Sequence, residues 1–181
     1  MKYLFEPLFI TPLLLIVCFA DTVLGRTARK YYENYTSNFF HYESALSKKG
    51  NIREIISSAV SKIIVIVFLL VVLQGGLRYG ITELISAYKF GMGFTLAIYL
   101  ISDLRHLESI FIGKLIKGNS EILDGKLTIK PFFSLRQTAV QLFTIFVLLG
   151  FIALITCDIF FAGVALAPLA IIIRNIALSR P

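Results

Sequence analysis

The chain alternates between long apolar runs and shorter polar or charged segments. A helix needs about 20 mainly apolar residues to cross the hydrocarbon core of a bilayer. Backbone groups inside lipid must bond to one another, so these runs favour helices even where β-branched residues are frequent. The pattern therefore predicts membrane-spanning helices near residues 8–24, 63–77, 81–101, 138–155 and 159–176.

Two of these assignments need an argument. The first run resembles a secretory signal peptide, but Glu6 and Pro12 fit that pattern poorly, so we interpret it as a retained span. The apolar region 138–177 is too long for one span, because about forty helical residues measure roughly 60 Å, twice the hydrocarbon thickness. The polar segment 156–158 divides it into a predicted hairpin, in which the small residue Gly163 permits close packing on the fourth span.

The polar segments carry patterns of their own. In segment 26–54, aromatic and aliphatic residues recur every three or four positions, which predicts an amphipathic helix in the membrane interface; a helix packed on the protein's own surface is the alternative. After residue 101, helical spacing continues towards Asn119, and Asp124-Gly125 predicts a short β-hairpin. The stripe of segment 26–54 consists of Tyr32, Tyr35, Phe39, Tyr42 and Leu46.

Composition fixes the class of protein. Apolar residues make up 57% of the 181 residues and charged residues 16%, with a mean hydropathy of +0.81. Soluble domains average about 45–50% apolar and about 25% charged residues. We therefore expect an all-α integral membrane protein forming one polytopic domain over residues 1–181. It has about five transmembrane helices, with interfacial amphipathic helices in two basic cytoplasmic loops.

The Lys and Arg residues predict the orientation. Segments 26–54 and 103–136 carry six each, whereas the turn between the second and third spans carries Arg78 alone. Basic loops face the cytoplasm, so we expect a cell-membrane protein with its carboxyl end in the cytoplasm and its amino end outside. The net charge of +7 is explained in this way, and nucleic acid is not an expected partner. The expected partners are anionic lipid headgroups, bound by Arg26, Arg29, Lys30, Arg105, Lys114 and Lys117.

The candidate chemistry lies where the third span ends. Asp103 and His106 are three residues apart and share a helical face, so they can bind a metal, relay a proton or pair with each other. Asp21 lies near the end of the first span, at the same predicted depth, and needs a partner if it is buried. We expect these three residues to converge at the cytoplasmic edge. We expect Lys62 to snorkel to the interface, with a buried ion pair as the alternative.

Three functions remain open. The first, which requires only the features above, is a structural or accessory membrane protein, with bound lipid and a homo-oligomer or membrane-protein partner. The second is an enzyme acting on a lipid or lipid-linked substrate, with Asp21, Asp103 and His106 as its catalytic or metal-binding residues. The third is an oligomeric channel or transporter, with Lys89, Glu83 and Asp21 marking its pathway. The sequence identifies neither a cofactor nor a metal.

The charge distribution predicts the location of the carboxyl end. A carboxyl-terminal reporter that fluoresces only in the cytoplasm is expected to be bright, because both heavily basic segments and the tail share one side in a five-span topology. Fluorescence of whole cells, normalised to the amount of protein, measures this. A dark reporter on well-expressed protein contradicts the orientation.

Overall fold

Five helices account for the part of the chain that the structure, a computed structural model, describes: residues 2–28, 52–119 and 135–178. Segments of α1 to α4 are long and apolar enough to cross a membrane, and the apolar part of α5, Ile159–Arg174, is shorter. The predicted all-helical, membrane-type architecture is thus confirmed. The helices are α1 (Lys2–Ala28), α2 (Ile52–Tyr79), α3 (Thr82–Asn119), α4 (Leu135–Thr156) and α5 (Ile159–Leu178).

Short turns join two pairs of helices. Gly80 ends α2 at a φ of 67°, and the N–H of Ile81 donates to the carbonyl of Gly76 at 2.9 Å, which is the bond of a Schellman cap. Between α4 and α5, Cys157 adopts a φ of 48°, and the Asp158 carboxylate accepts from the N–H of Phe160 at 2.9 Å. Asp158 therefore caps α5, and the division expected at residues 156–158 is present.

α3 lies at the centre of the bundle. α1 and α2 pack against α3 and, over a shorter stretch, against each other. α5 packs against α3 on one side and against α4 on another. Leu142 of α4 and Ile171 of α5 form a second buried cluster, against which Ile98 and Ile101 of α3 pack. The largest core cluster joins α1, α2 and α3 through Leu14, Val17, Cys18, Ile66, Leu69, Leu73, Tyr88, Met92 and Leu96.

Glycines set the contact between α3 and α5. A Cβ atom on Gly163 would lie 3.0 Å from the backbone nitrogen of Phe94, and it would meet the carbonyl oxygen of Phe90 still more closely. Gly93 faces the backbone of Phe160 in the same reciprocal manner. Helix backbones that approach this closely gain dispersion contacts that lipid cannot replace. Gly163, expected to face α4, therefore packs on α3 instead.

The helices alternate in direction. Asp21, near the end of α1, contacts His106 near the end of the apolar part of α3, and Lys62, near the start of α2, contacts Asp21. Gln141, near the start of α4, contacts Arg105 of α3. α1 and α3 thus end, and α2 and α4 begin, on one side of the bundle, which we call the basic face. α5 also ends there, since its first residues pack beside Gly93 and its later residues beside Ile98 and Ile101.

Several expectations fall outside the described residues. They include the aromatic stripe of segment 26–54, the hairpin at Asp124-Gly125, and the cations Arg29 and Lys30. α3 does continue to Asn119, as its helical spacing predicts. The interfacial position of its last turns stays a prediction.

Substitution at the close contact tests the packing of α5 on α3. Gly163→Ala is expected to destabilise the protein by about 1–3 kcal/mol, because the new methyl group meets backbone atoms that cannot rotate away. Gly150→Ala is the matched control, since nothing lies within 4 Å of its added Cβ. Thermal unfolding in detergent compares the two variants. Equal unfolding temperatures would show that the bundle does not pack in this way.

Candidate functional site at the basic face

Four ionisable side chains from three helices meet close to the basic face. Asp21 belongs to α1, Lys62 to α2, and Asp103 and His106 to α3; we call this group the ionic cluster. Each residue lies within about two helical turns of the end of an apolar segment, whose relevant limits are Ala28, Ala59 and Glu108. The cluster therefore lies near the edge of the apolar region and not at its centre.

The ammonium of Lys62 donates its hydrogen bonds to α1. Its ammonium donates to Asp21 Oδ2 at 2.5 Å, to Thr22 Oγ1 at 2.9 Å and to the carbonyl oxygen of Cys18 at 3.2 Å. An ammonium has three N–H donors, so all of them are used. The Tyr99 ring of α3 lies 5.1 Å from the charge, within the range of a cation–π contact. Lys62 is only 6% exposed, which shows that the charge is buried within the protein.

The expectation that Lys62 snorkels to the interface is wrong. A long side chain reaches water only if no nearer group satisfies its charge, and here α1 offers a carboxylate, a hydroxyl and a carbonyl oxygen. The sequence does contain a signal for this pairing. Asp21 and Lys62 carry opposite charges on consecutive antiparallel spans, near the ends that segment 29–51 connects.

His106 lies between α3 and α1. Its Nε2 is 3.3 Å from the hydroxyl of Ser102, one turn earlier on α3, and 3.4 Å from Asp21 Oδ1. The ring fits against α1 because residue 25 is glycine: a Cβ there would lie 3.2 Å from Nε2. The predicted convergence of Asp21 with His106 is therefore present. Neither Ser102 nor Gly25 was singled out by the sequence, because single small residues in apolar helices are common.

Asp103 is buried beside this contact. It is 7% exposed and lies within electrostatic range of Asp21, His106 and Lys62. Among the described residues, neither Asp103 Oδ1 nor Asp21 Oδ1 has a hydrogen-bond partner. Asp103 Oδ1 is thus a buried carboxylate oxygen to which no hydrogen is donated, whereas Asp21 Oδ1 faces the ring nitrogen of His106 at 3.4 Å.

Arg105, predicted to bind lipid headgroups, is engaged with protein partners. Its guanidinium donates to the Glu108 carboxylate at 2.8 Å and to the side-chain oxygen of Gln141 at 2.5 Å. It therefore links α3 to α4 at the basic face. Arg26, by contrast, is exposed at the end of α1. Headgroup binding by these cations stays a prediction.

The arrangement contains groups that can exchange a proton. Within residues 2–28, 52–119 and 135–178, no group of three or more His, Cys, Asp or Glu side chains is placed to hold a metal ion. An imidazole beside two carboxylates can bind or transfer a proton. The catalytic role considered for Asp21, Asp103 and His106 stays a hypothesis.

Comparisons with protein-family models, with curated proteins and with solved structures find no match to this chain. Function must therefore be argued from the geometry of the described residues.

Removing the lysine from the cluster tests its structural role. Lys62→Met is expected to cost about 3–5 kcal/mol, because it leaves the Asp21 carboxylate buried without its ammonium partner. The double variant Asp21→Asn/Lys62→Met is expected to recover part of that loss, since it removes both charges. Thermal unfolding in detergent gives the comparison. The control is Arg78→Met, which removes an exposed cation from the same helix. A Lys62→Met protein as stable as this control would contradict the buried pair.

Proposed function

We propose that this chain is a five-span membrane protein with a structural or accessory role, which binds anionic lipid headgroups at a cytoplasmic basic face. The observation that carries the proposal is the alternation of helix directions. It brings the ends of segments 29–51 and 120–134 and the end of α5 to one side. Those segments and the adjoining helix ends contain most of the Lys and Arg residues of the chain.

The length of α3 supports this role. The helix has 38 residues and measures about 57 Å, well beyond the roughly 30 Å of a hydrocarbon core. Its apolar segment ends at Glu108, so the turns that carry Lys114 and Lys117 extend past it at the basic face. Cations just outside a span are well placed to attract the negative leaflet surface.

The fully satisfied ammonium of Lys62 supports a structural role for the part of the bundle formed by α1, α2 and α3. The donors of Lys62 are all used within the protein, and the same side chain contacts both α1 and α3. Such a residue holds helices together and has no N–H left for a substrate. We therefore place the lipid contact on the exposed cations and not on the ionic cluster.

Lipid retention tests the proposal. The protein is purified from a defined mixture of phosphatidylglycerol and phosphatidylcholine, and the lipid that stays bound is counted by native mass spectrometry. We expect phosphatidylglycerol to be retained preferentially. The variant Arg26→Gln/Lys114→Gln should weaken retention by about tenfold or more, because each cation near the surface contributes about 1 kcal/mol.

The control variant is Lys2→Gln/Arg78→Gln, which removes one lysine and one arginine from the opposite side of the bundle. It should leave phosphatidylglycerol retention unchanged. Equal retention of the two lipids, or an equal loss in the two double variants, would refute the lipid-binding role.

A further inference from the structure

The ionic cluster contains two carboxylates and one ammonium. With both carboxylates ionised, Lys62 charged and His106 neutral, its formal charge is −1, and all four residues are largely shielded from solvent. Burying an uncompensated charge is costly, and a buried carboxylate oxygen that accepts no hydrogen bond adds to that cost. Asp103 Oδ1 is such an oxygen. Both the charge and the unused acceptor point to a ligand that brings one positive charge and one donated hydrogen.

The chemistry of the surrounding atoms selects that ligand. Asp21 Oδ1 can only accept while it is ionised, so the facing Nε2 of His106 must carry a hydrogen for their 3.4 Å contact to be favourable. A further hydrogen can then bind on the carboxyl group of Asp103, whose Oδ1 accepts no hydrogen bond. A metal ion is disfavoured, because the ammonium of Lys62 already occupies Asp21 Oδ2 and repels further cations.

We propose that Asp103, His106 and Asp21 together bind one exchangeable proton at the basic face of the bundle. The proton comes from water on that side: hydronium loses it, the cluster gains it, and the charge of the cluster changes from −1 to 0. The imidazole and the carboxyl group of Asp103 are two locations of this single shared proton. The proposal is independent of lipid binding by the exposed cations.

The neighbouring described charges do not change the formal charge of the ionic cluster. On α3 the Arg105–Glu108 pair is neutral as a unit and extends towards α4 through Gln141. On α2 the charge described at this end is Lys62 itself, whose ammonium donates to α1. Among the other side chains that the structure describes at this end of the bundle, the ionisable ones are Cys18 and Arg26 on α1, Tyr99 on α3 and Arg174 on α5.

Nitrogen NMR can follow this proton directly. The chain has two histidines, His41 and His106, so His41→Gln with ¹⁵N-labelled histidine leaves one imidazole signal. The two ring nitrogens distinguish both neutral tautomers and the cation. A pH series between about 5 and 8, in nanodiscs, should show His106 gaining a proton. In Asp103→Asn its proton affinity should fall by about tenfold or more, because a negative charge one helical turn away is lost.

Two controls separate this result from a general loss of structure. Asp158→Asn removes a carboxylate at the opposite end of the bundle and should leave the His106 titration unchanged. Asp103→Glu keeps the charge and should keep the proton affinity within about threefold. Infrared spectroscopy of the wild-type protein with ¹³C-labelled aspartate needs no cluster variant. It should show a protonated carboxyl band that changes over the same pH range as the His106 signal.

Three results would overturn the proposal. The first is a His106 whose protonation is the same in wild type, Asp103→Asn and Asp158→Asn. The second is a wild-type protein in which the histidine and aspartate signals both stay constant across the pH series. The third is a change of these signals with sodium at fixed pH that exceeds the change with pH, which would make the site a cation site.

Discussion

A lysine charge buried within an apolar bundle must find acceptors, and the rest of the basic-face structure depends on this requirement. Lys62 is only 6% exposed, so the acceptors for its N–H groups must come from the surrounding protein. α1 supplies all three from positions about one helical turn apart on one face: the carbonyl oxygen of Cys18, the carboxylate of Asp21 and the hydroxyl of Thr22. The position of α2 along α1 is thereby fixed, although the two helices pack over only a short stretch.

α3 packs against its neighbours on its two sides through different kinds of contact. Lipid tails are as apolar as leucine, so burying apolar side chains against another helix gains little from the hydrophobic effect. Towards α1, α3 offers Ser102 and His106 as polar contacts; towards α5, it offers Gly93 and a close backbone approach. Gly93 and Ser102 are nine residues apart, about two and a half turns, and therefore face opposite sides. α3 can hold both neighbours because its polar and its small residues do not compete for one face.

The sequence predicted the elements better than their contacts. Apolar length located all five helices, and the polar residues 156–158 marked the α4–α5 turn, because both are local properties. The meeting of Asp21 with His106 also followed, since alternating spans bring alternate ends together. The burial of Lys62 and the partner of Gly163 did not follow. Both depend on which helix faces which, and a nearly uniform apolar pattern does not encode the rotation of each helix.

The position of the ionic cluster connects the proposed proton site with the proposed lipid contact. Cations at the basic face create a positive potential, and Arg26 is exposed little more than one turn beyond Asp21. A positive potential disfavours proton binding and favours ionised carboxylates in the cluster. Anionic headgroups bound at this face reduce that potential, so they should raise the proton affinity of the cluster. Because such coupling is reciprocal, protonation of the cluster must then strengthen headgroup binding by the same factor.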